Sequence, residues 1–495
     1  MWSFIISVCA LVLGYLLYGR VVEKAVNPNL LKPTPAYSKQ DGVDFVPMPT
    51  WKVFMIQFLN IAGTGPIFGA IMGAKFGPSC YLWIVFGSIF AGAVHDYINA
   101  MISLRHGGAS VPEVIGHYLG HGARIAATIL ILFLLLLVGA VFVYSPAMIL
   151  GDLAGFFSSP EKSVMFWVAV IFIYYSLATL LPIDKLIGRI YPFFAFALLF
   201  MALSLMVVLL FKWPTIPEFW DGLQNRGPEV GVKGQPIFPC LFITVACGAI
   251  SGFHSTQSPL MARCIKSEKY ARPVFYGSMI VEGMVALVWA AVSSYFFFDG
   301  GMAEVGATSA QAPVVVTSVA KSWLGVVGSI LAILGVVAAP ITSGDTAFRS
   351  SRLIVADIFH ISQKTKKNRI MVSIPIFCVA AVLLWFNIAD ENGFNTIWRY
   401  FGWANQTLAC FTLWTVTAYM VHHSRRMNYL ITMLPALFMT TVCVTYLCVD
   451  KIGFNMPESW TMWIAIAVFI IADIMSHYYI GRLKHSLKEG TIKRK

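Results

Sequence analysis

Apolar residues run through this chain in long blocks, separated by short polar or basic stretches. A block of about 18 apolar residues or more can cross roughly 30 Å of hydrocarbon as a helix. Thirteen such spans are predicted, at 2–19, 53–73, 79–104, 125–150, 163–182, 190–211, 238–258, 274–298, 323–342, 371–388, 401–421, 429–449 and 460–481. All 35 Lys and Arg residues fall between them. The pattern predicts an all-α polytopic protein, multi-pass in the cell (inner) membrane and surrounded by lipid.

The basic residues alternate from side to side. Twenty-seven of the 35 lie in segments 20–52, 105–124, 183–189, 259–273, 343–370, 422–428 and 482–495, and eight in the remaining loops. Positive loops stay in the cytoplasm, so the N-terminus is expected outside and the C-terminus inside. The net charge of +12 then reports topology, and no nucleic-acid partner is expected. Composition agrees: 58% of residues are apolar and 12% charged, against about 25% charged in soluble chains. That balance excludes a water-soluble multidomain protein. The first span has no basic stretch ahead of it and reads as a true helix, not a cleaved leader. Nine cysteines form no CxxC pair and no HExxH occurs, so zinc and redox motifs are not indicated. The basic end Lys484–Lys495 reads as a solvated tail near lipid headgroups.

Two spans depart from the rest. One carries Asn60, Gly63, Thr64, Gly65 and Pro66; the other carries Gly248, Ser251, Gly252, Phe253, His254, Ser255, Thr256, Gln257, Ser258 and Pro259. Non-helical backbone at membrane depth is tolerated only where protein buries it or it lines a cavity. Two such breaks at corresponding places in two halves point to a transporter's binding site. Five spans start at the first break (53–211) and five at the second (238–421). Five is odd, so the second set runs the opposite way across the membrane, as an inverted 5+5 repeat. The expected organisation is an extra helix and cytoplasmic linker (1–52), a first repeat (53–211), an external loop (212–237), a second repeat (238–421), and two peripheral helices with a basic tail (422–495).

This plan resembles the leucine-transporter fold of the amino acid–polyamine–cation superfamily. The segments Asn60–Pro66, Gly92–Asp96, Gly248–Pro259 with Met261–Arg263, and Pro340–Phe348 are similar to the carbon-starvation protein A (CstA) family, over about residues 1 to 480. The chain departs from the larger family members in a shorter C-terminal region and in His95, where many relatives have Gln. The resemblance implies uptake of peptides, or of pyruvate with a proton. It also implies a sodium site, made from Thr342 and Ser343 with the carbonyls of Leu59 and Ala62, since hard cations favour such oxygens.

The residues themselves suggest roles. Unwinding at Asn60, Gly63, Thr64 and Gly65 frees amides at a half-helix N-terminus, where the dipole favours an anion such as a carboxylate. Ser251, Ser255, Thr256, Gln257 and Ser258 offer donors on the opposite wall, and Phe253 would close over a small substrate. His254 at membrane depth is a candidate for proton coupling; the competing reading is a neutral histidine bonded to a neighbouring helix. Glu282 is the leading carboxylate candidate. Asp345 would carry a proton or add charge to a cation, unless Thr342–Thr346 merely cap a helix end. Asp96 with His95 forms either a relay or a structural bond, and Asp473 is expected to be structural. Arg263 and Arg349 would gate through ion pairs with Asp345 or Asp357, or simply anchor loops.

The preferred function is therefore an ion-coupled importer of a small carboxylate, most simply pyruvate by proton symport. The alternative is peptide or amino-acid uptake with sodium. No cofactor beyond that sodium ion is expected. No GxxxxGK[ST] stretch occurs, so ATP hydrolysis by this chain is not indicated. An enzyme would need a convergent nucleophile, base or metal set. A receptor would need a signalling domain, and no segment reads as one.

Overall fold

Most of the long apolar runs fold into helix, because hydrocarbon offers no partners for backbone N–H and C=O groups and a helix satisfies them internally. The computed structural model describes residues 1–495 apart from 43, 154–156, 180–186, 233, 305–310, 364, 390–392, 424–426 and 490–495. In chain order the helices are α1 (Trp2–Val26), α2 (Thr50–Ile61), α3 (Gly65–Ala74), α4 (Ser79–Arg105), α5 (Val111–Leu119), α6 (His121–Leu153), α7 (Pro160–Ala178) and α8 (Ile187–Lys212). They continue as α9 (Gly252–Ala262), α10 (Gly277–Phe298), α11 (Ala312–Leu331), α12 (Ala338–Ile358), α13 (Lys366–Ala389), α14 (Gly393–His423), α15 (Leu430–Val449) and α16 (Thr461–Lys488). Among the described residues there is no β-strand. The last six residues of the expected tail, 490–495, lie outside the described residues.

Among the described residues, ten helices are long and apolar enough to cross a membrane, or eleven if the bent pair α2–α3 is one span. This is a multi-pass membrane protein. Two predicted spans are absent from that set for physical reasons. Segment 238–258 contains only the short turns Ile237–Leu241 and Phe242–Thr244 before its backbone leaves the helix. Helix α14 is 31 residues long and largely buried, but Arg399, Asn405, Gln406 and several threonines dilute its apolar character.

Three expectations change. Helix α12 continues to Ile358, so Thr342 and Ser343 lie within a helix and cap nothing. The expected loop 299–322 is partly helical, since α11 begins at Ala312 and turns sharply at Gly325, with φ 57°; that left-handed region costs glycine little. The expected loop 105–124 contains α5, opened by a capping box between Ser110 and Glu113.

The broken segments sit inside, together with the largely buried helices α4, α10 and α14. The α2–α3 pair packs on α8, α10, α11 and α12, and α9 packs on α2, α4 and α14. Helices α7, α8, α13 and α16 leave large apolar side chains such as Ile173, Phe196, Trp385 and Ile474 exposed, the surface a protein presents to lipid rather than water.

Candidate functional site: two breaks and a buried acid–histidine chain

The first break is short. Helix α2 stops at Ile61, α3 starts at Gly65, and their axes differ by 50°. Pro66 stands in the first turn of α3, where its missing N–H costs nothing. The glycines are required by close approach: a Cβ at Gly63 would lie 2.8 Å from the Phe142 ring, and one at Gly65 would overlap the Cys247 side chain. The amides of Ile67 and Phe68 donate to the Thr64 carbonyl, at 3.2 and 2.7 Å. Those of Thr64 and Gly65 have no backbone acceptor among the described residues. Beside them, the buried Asn60 Oδ1 and Thr64 Oγ1 have no hydrogen-bond partner either. The carbonyls released by the break are partly used. Ser343 Oγ donates toward Leu59 and Asn60, at 3.4 and 3.3 Å.

The second break is longer, from Val245 to Ser251. Its polar backbone is satisfied by side chains from neighbouring helices, as burial demands. Trp83 Nε1 donates to the Val245 carbonyl at 2.9 Å, Ser88 Oγ to Gly248 at 3.0 Å, and Gln406 Nε2 to Phe242 at 3.0 Å. Glycines at positions 87 and 92 on α4 admit this backbone: a Cβ at Gly92 would overlap the Ala249 carbonyl. Helix α9 is then capped from α14, because Asn405 Oδ1 accepts from the Phe253 amide at 2.7 Å and from Ser251 Oγ at 3.1 Å.

Beside this break, four titratable side chains meet with no exposure to solvent. His95 Nδ1 is 2.7 Å from Asp96 Oδ1, and His254 Nδ1 is 3.0 Å from Asp96 Oδ2. On its other side His254 Nε2 stands 3.5 Å from Glu282 Oε2. A carboxylate accepts, so each Nδ1 carries its hydrogen toward Asp96. His254 Nε2 and both Glu282 oxygens lack a hydrogen-bond partner among the described residues. Two lone pairs facing each other in a buried site repel, so one proton belongs between this nitrogen and this carboxyl. It sits either on the imidazole or on the acid.

The structure brings His95, Asp96, His254 and Glu282 together, leaves others apart, and changes what several of them offer. Ser255, Thr256 and Ser258 already donate to the carbonyls of Gly252, Phe253 and His254, and Ser251 is engaged by Asn405. They are braces of α9 rather than free donors. Gln257 donates to Thr256 Oγ1 at 2.9 Å, leaving its buried Oε1 unpaired. Phe253 is buried and stands edge-on to Phe142, 6.3 Å between centroids, so it belongs to an aromatic wall over Gly63. Thr342 turns its hydroxyl onto Ala339 at 2.8 Å, and the carbonyl reached beside Leu59 is that of Asn60, not Ala62. Asp345 lies 3.6 Å from Arg349, which also donates to the Ala178 carbonyl. Arg263 instead donates to the Gly108 carbonyl at 3.0 Å and covers the Phe45 ring. The Asp357 side chain lies outside the described residues. Asp473 sits 3.2 Å from His477 on the outer face of α16, away from the site.

Asn405 and Asn99 are the functional neighbours that sequence reasoning missed. Asn99 Nδ2 donates to the Ser255 carbonyl at 3.1 Å. The available signal was an amide within a buried membrane span, which needs a specific partner. Asn405→Ala strands the Phe253 amide and the Ser251 hydroxyl. A loss of roughly 1–2 kcal/mol is expected, read as a lower melting temperature in detergent. An unchanged melting temperature would remove Asn405 as the cap.

Comparisons with known proteins agree with this architecture. The family model described as "Carbon starvation protein CstA" matches residues 1–159, 153–326 and 317–446. An uncharacterized membrane protein of Haemophilus influenzae is 46% identical over 339 residues, covering 60% of this chain and 91% of its own. The "Peptide transporter CstA" of Helicobacter pylori is 26% identical, covering 89% of this chain and 80% of its own. That of Escherichia coli K12 is 26% identical, covering 83% and 75%. Among solved structures, an Eremococcus coleocola manganese transporter superposes with a TM-score of 0.55 at 12% identity, covering 90% of this chain and 99% of its own. A Na+-coupled sialic acid symporter gives 0.51 at 12% identity, covering 95% and 96%. At these identities the likeness concerns the fold alone.

Proposed function

We propose a mechanism of transport from one premise: the chain belongs to the carbon starvation protein CstA family. Its named relatives are peptide transporters, so the reading is of solute movement across a membrane and not of catalysis. With α2–α3, segment 237–262 and α14 each counted as a crossing, the helices fit the thirteen-span plan. That plan has a 5+5 inverted repeat, the N-terminus outside and the C-terminus inside.

Within that frame the chain is an ion-coupled importer of a small carboxylate, most simply pyruvate with a proton. The observation that carries this reading is the buried sequence His95, Asp96, His254, Glu282, wedged against the start of α9. A charged group buried in a membrane protein is costly unless paired. Four titratable groups in contact can share one proton cheaply and release it when their spacing changes. His254 lies in the first turn of α9, beside the broken backbone, so a movement of the break changes its distance to Glu282. The free amides at Thr64 and Gly65, at the positive end of α3, supply the matching docking point for a carboxylate.

A second reading is favoured by a separate observation. The relatives' names support peptide uptake, and Ser343 on the carbonyls of Leu59 and Asn60 gathers oxygens that a sodium ion would accept, with Thr342 one residue away.

Uptake of labelled pyruvate and of dialanine into proteoliposomes, under an imposed proton gradient and then a sodium gradient, tests both readings. Pyruvate accumulation driven by protons and unaffected by Thr342→Ala/Ser343→Ala is the expected result. Dialanine uptake that follows sodium and is lost in that double variant would replace it with the second reading. No uptake of either solute by folded protein would overturn both.

A further inference from the structure

A broad cavity opens at the end of α3, apart from the two breaks. It encloses about 680 Å³ between α3, the loop 212–237, the start of α14 and the segment after α15. Among the described residues, three cations line it, Lys75, Arg399 and Lys451, together with the aromatic walls Phe394, Trp398 and Tyr400. Arg399 is 3.6 Å from Asp450, a long ion pair. Lys75 is only 6% exposed. It has no acidic partner among the described residues, and its ammonium lies 5.2 Å from the Phe297 ring centroid. A buried cation without a counter-charge is an expensive feature to keep for packing alone. Burial lowers the pKa of that ammonium to about 8.

The cavity leads somewhere. Thr244 and Trp398 line both this chamber and a narrow cleft that runs on past Cys247 and Phe401 to Gly65. That cleft is too tight for a water molecule in this conformation. A cationic chamber of ligand size therefore adjoins a tight neck whose far lining includes Gly65 of the first break.

We propose that this chamber is a first docking site for the substrate's carboxylate, held by Lys75 and Lys451 before the neck opens toward Gly65. The inference rests on the transport reading and on the orientation that places the chamber outside. The ligand chemistry is a carboxylate on a small organic body. A free 2-oxo acid and the C-terminus of a short peptide both present it, and a volume near 680 Å³ admits either. The aromatic walls suit the apolar part of such a molecule, and Lys as a mobile point charge suits capture more than tight retention.

The test measures equilibrium binding of pyruvate and of dialanine to the purified full chain in detergent, and the KM and maximal rate of uptake in proteoliposomes. Lys75→Gln is expected to weaken binding about tenfold and to raise KM by the same factor, with the effect on KM and not on the maximal rate. Lys75→Arg restores it. The solvent-exposed Lys451→Gln gives a smaller shift in the same direction and guards against misfolding of the buried variant. Loss confined to pyruvate identifies a free acid as the ligand, and loss confined to dialanine identifies a peptide. Unchanged binding and KM in both Gln variants would overturn the proposal, as would a fall in maximal rate at constant KM. If the unmutated chain moves neither solute yet binds one through Lys75, the docking site stands and the transport reading falls.

Discussion

Gly63→Ala lowers carboxylate uptake on the order of a hundredfold, and it does so even after room is made for the new methyl group. The added Cβ would lie 2.8 and 2.9 Å from two atoms of the Phe142 ring and 3.6 Å from Ser343 Oγ. Phe142→Leu removes those ring atoms. If Gly63 serves only to pass the ring, the double variant Gly63→Ala/Phe142→Leu recovers full uptake. If it serves to let a carboxylate reach the amides at Thr64 and Gly65, uptake stays low although the protein packs normally. Gly65→Ala is expected to fail as severely, since its Cβ would overlap Cys247. Uptake rates at equal amounts of folded protein decide the matter, and recovery in the double variant would end the idea of a carboxylate cradle.

Glu282→Gln and His254→Gln separate transport from its driving force. A gradient of one pH unit is worth about 1.4 kcal/mol per proton, which corresponds to about tenfold accumulation of a solute carried with one proton. The unmutated chain should approach that ratio. Gln at position 282 keeps the shape of the acid and cannot take up or release the proton held between His254 Nε2 and Glu282 Oε2, now 3.5 Å apart. Accumulation should then fall to none, while exchange of labelled for unlabelled substrate continues. Gln at position 254 breaks the contact to Asp96 as well, so its exchange rate also drops. Were both variants to accumulate substrate under the pH gradient as the unmutated chain does, this cluster would not be the coupling site.

Much of the site was legible residue by residue, and the parts that were not share a cause. His254, Glu282, Asp96 and the glycines stood out because charge and flexible backbone are costly in hydrocarbon wherever they face. The hydroxyls of Ser255, Thr256 and Ser258 looked like ligand donors because sequence records a hydroxyl but not its rotamer. In the fold they turn onto carbonyls of their own helix. Asn405 leaves no mark in the sequence, since it lies more than 150 residues from the amide that it caps, and no local pattern links them. The helix end expected at Thr342 failed because polar residues also occur inside a buried helix, where their partners come from the preceding turn.

Apolar runs, glycines and prolines along the chain are enough to establish that it is helical and multi-pass, and that two of its segments are broken. Each of those follows from the solvent: hydrocarbon demands internal hydrogen bonding from every residue and exposes the few that cannot comply. It takes the folded arrangement to show that His95, Asp96, His254 and Glu282 form one contact chain, that Asn405 holds the second break, and that Lys75 lines a chamber near the first. Those depend on which faces of α3, α4, α9, α10 and α14 pack together. Helix packing is set by side-chain shape at contacts between residues far apart in the chain, which periodicity along a single segment does not record.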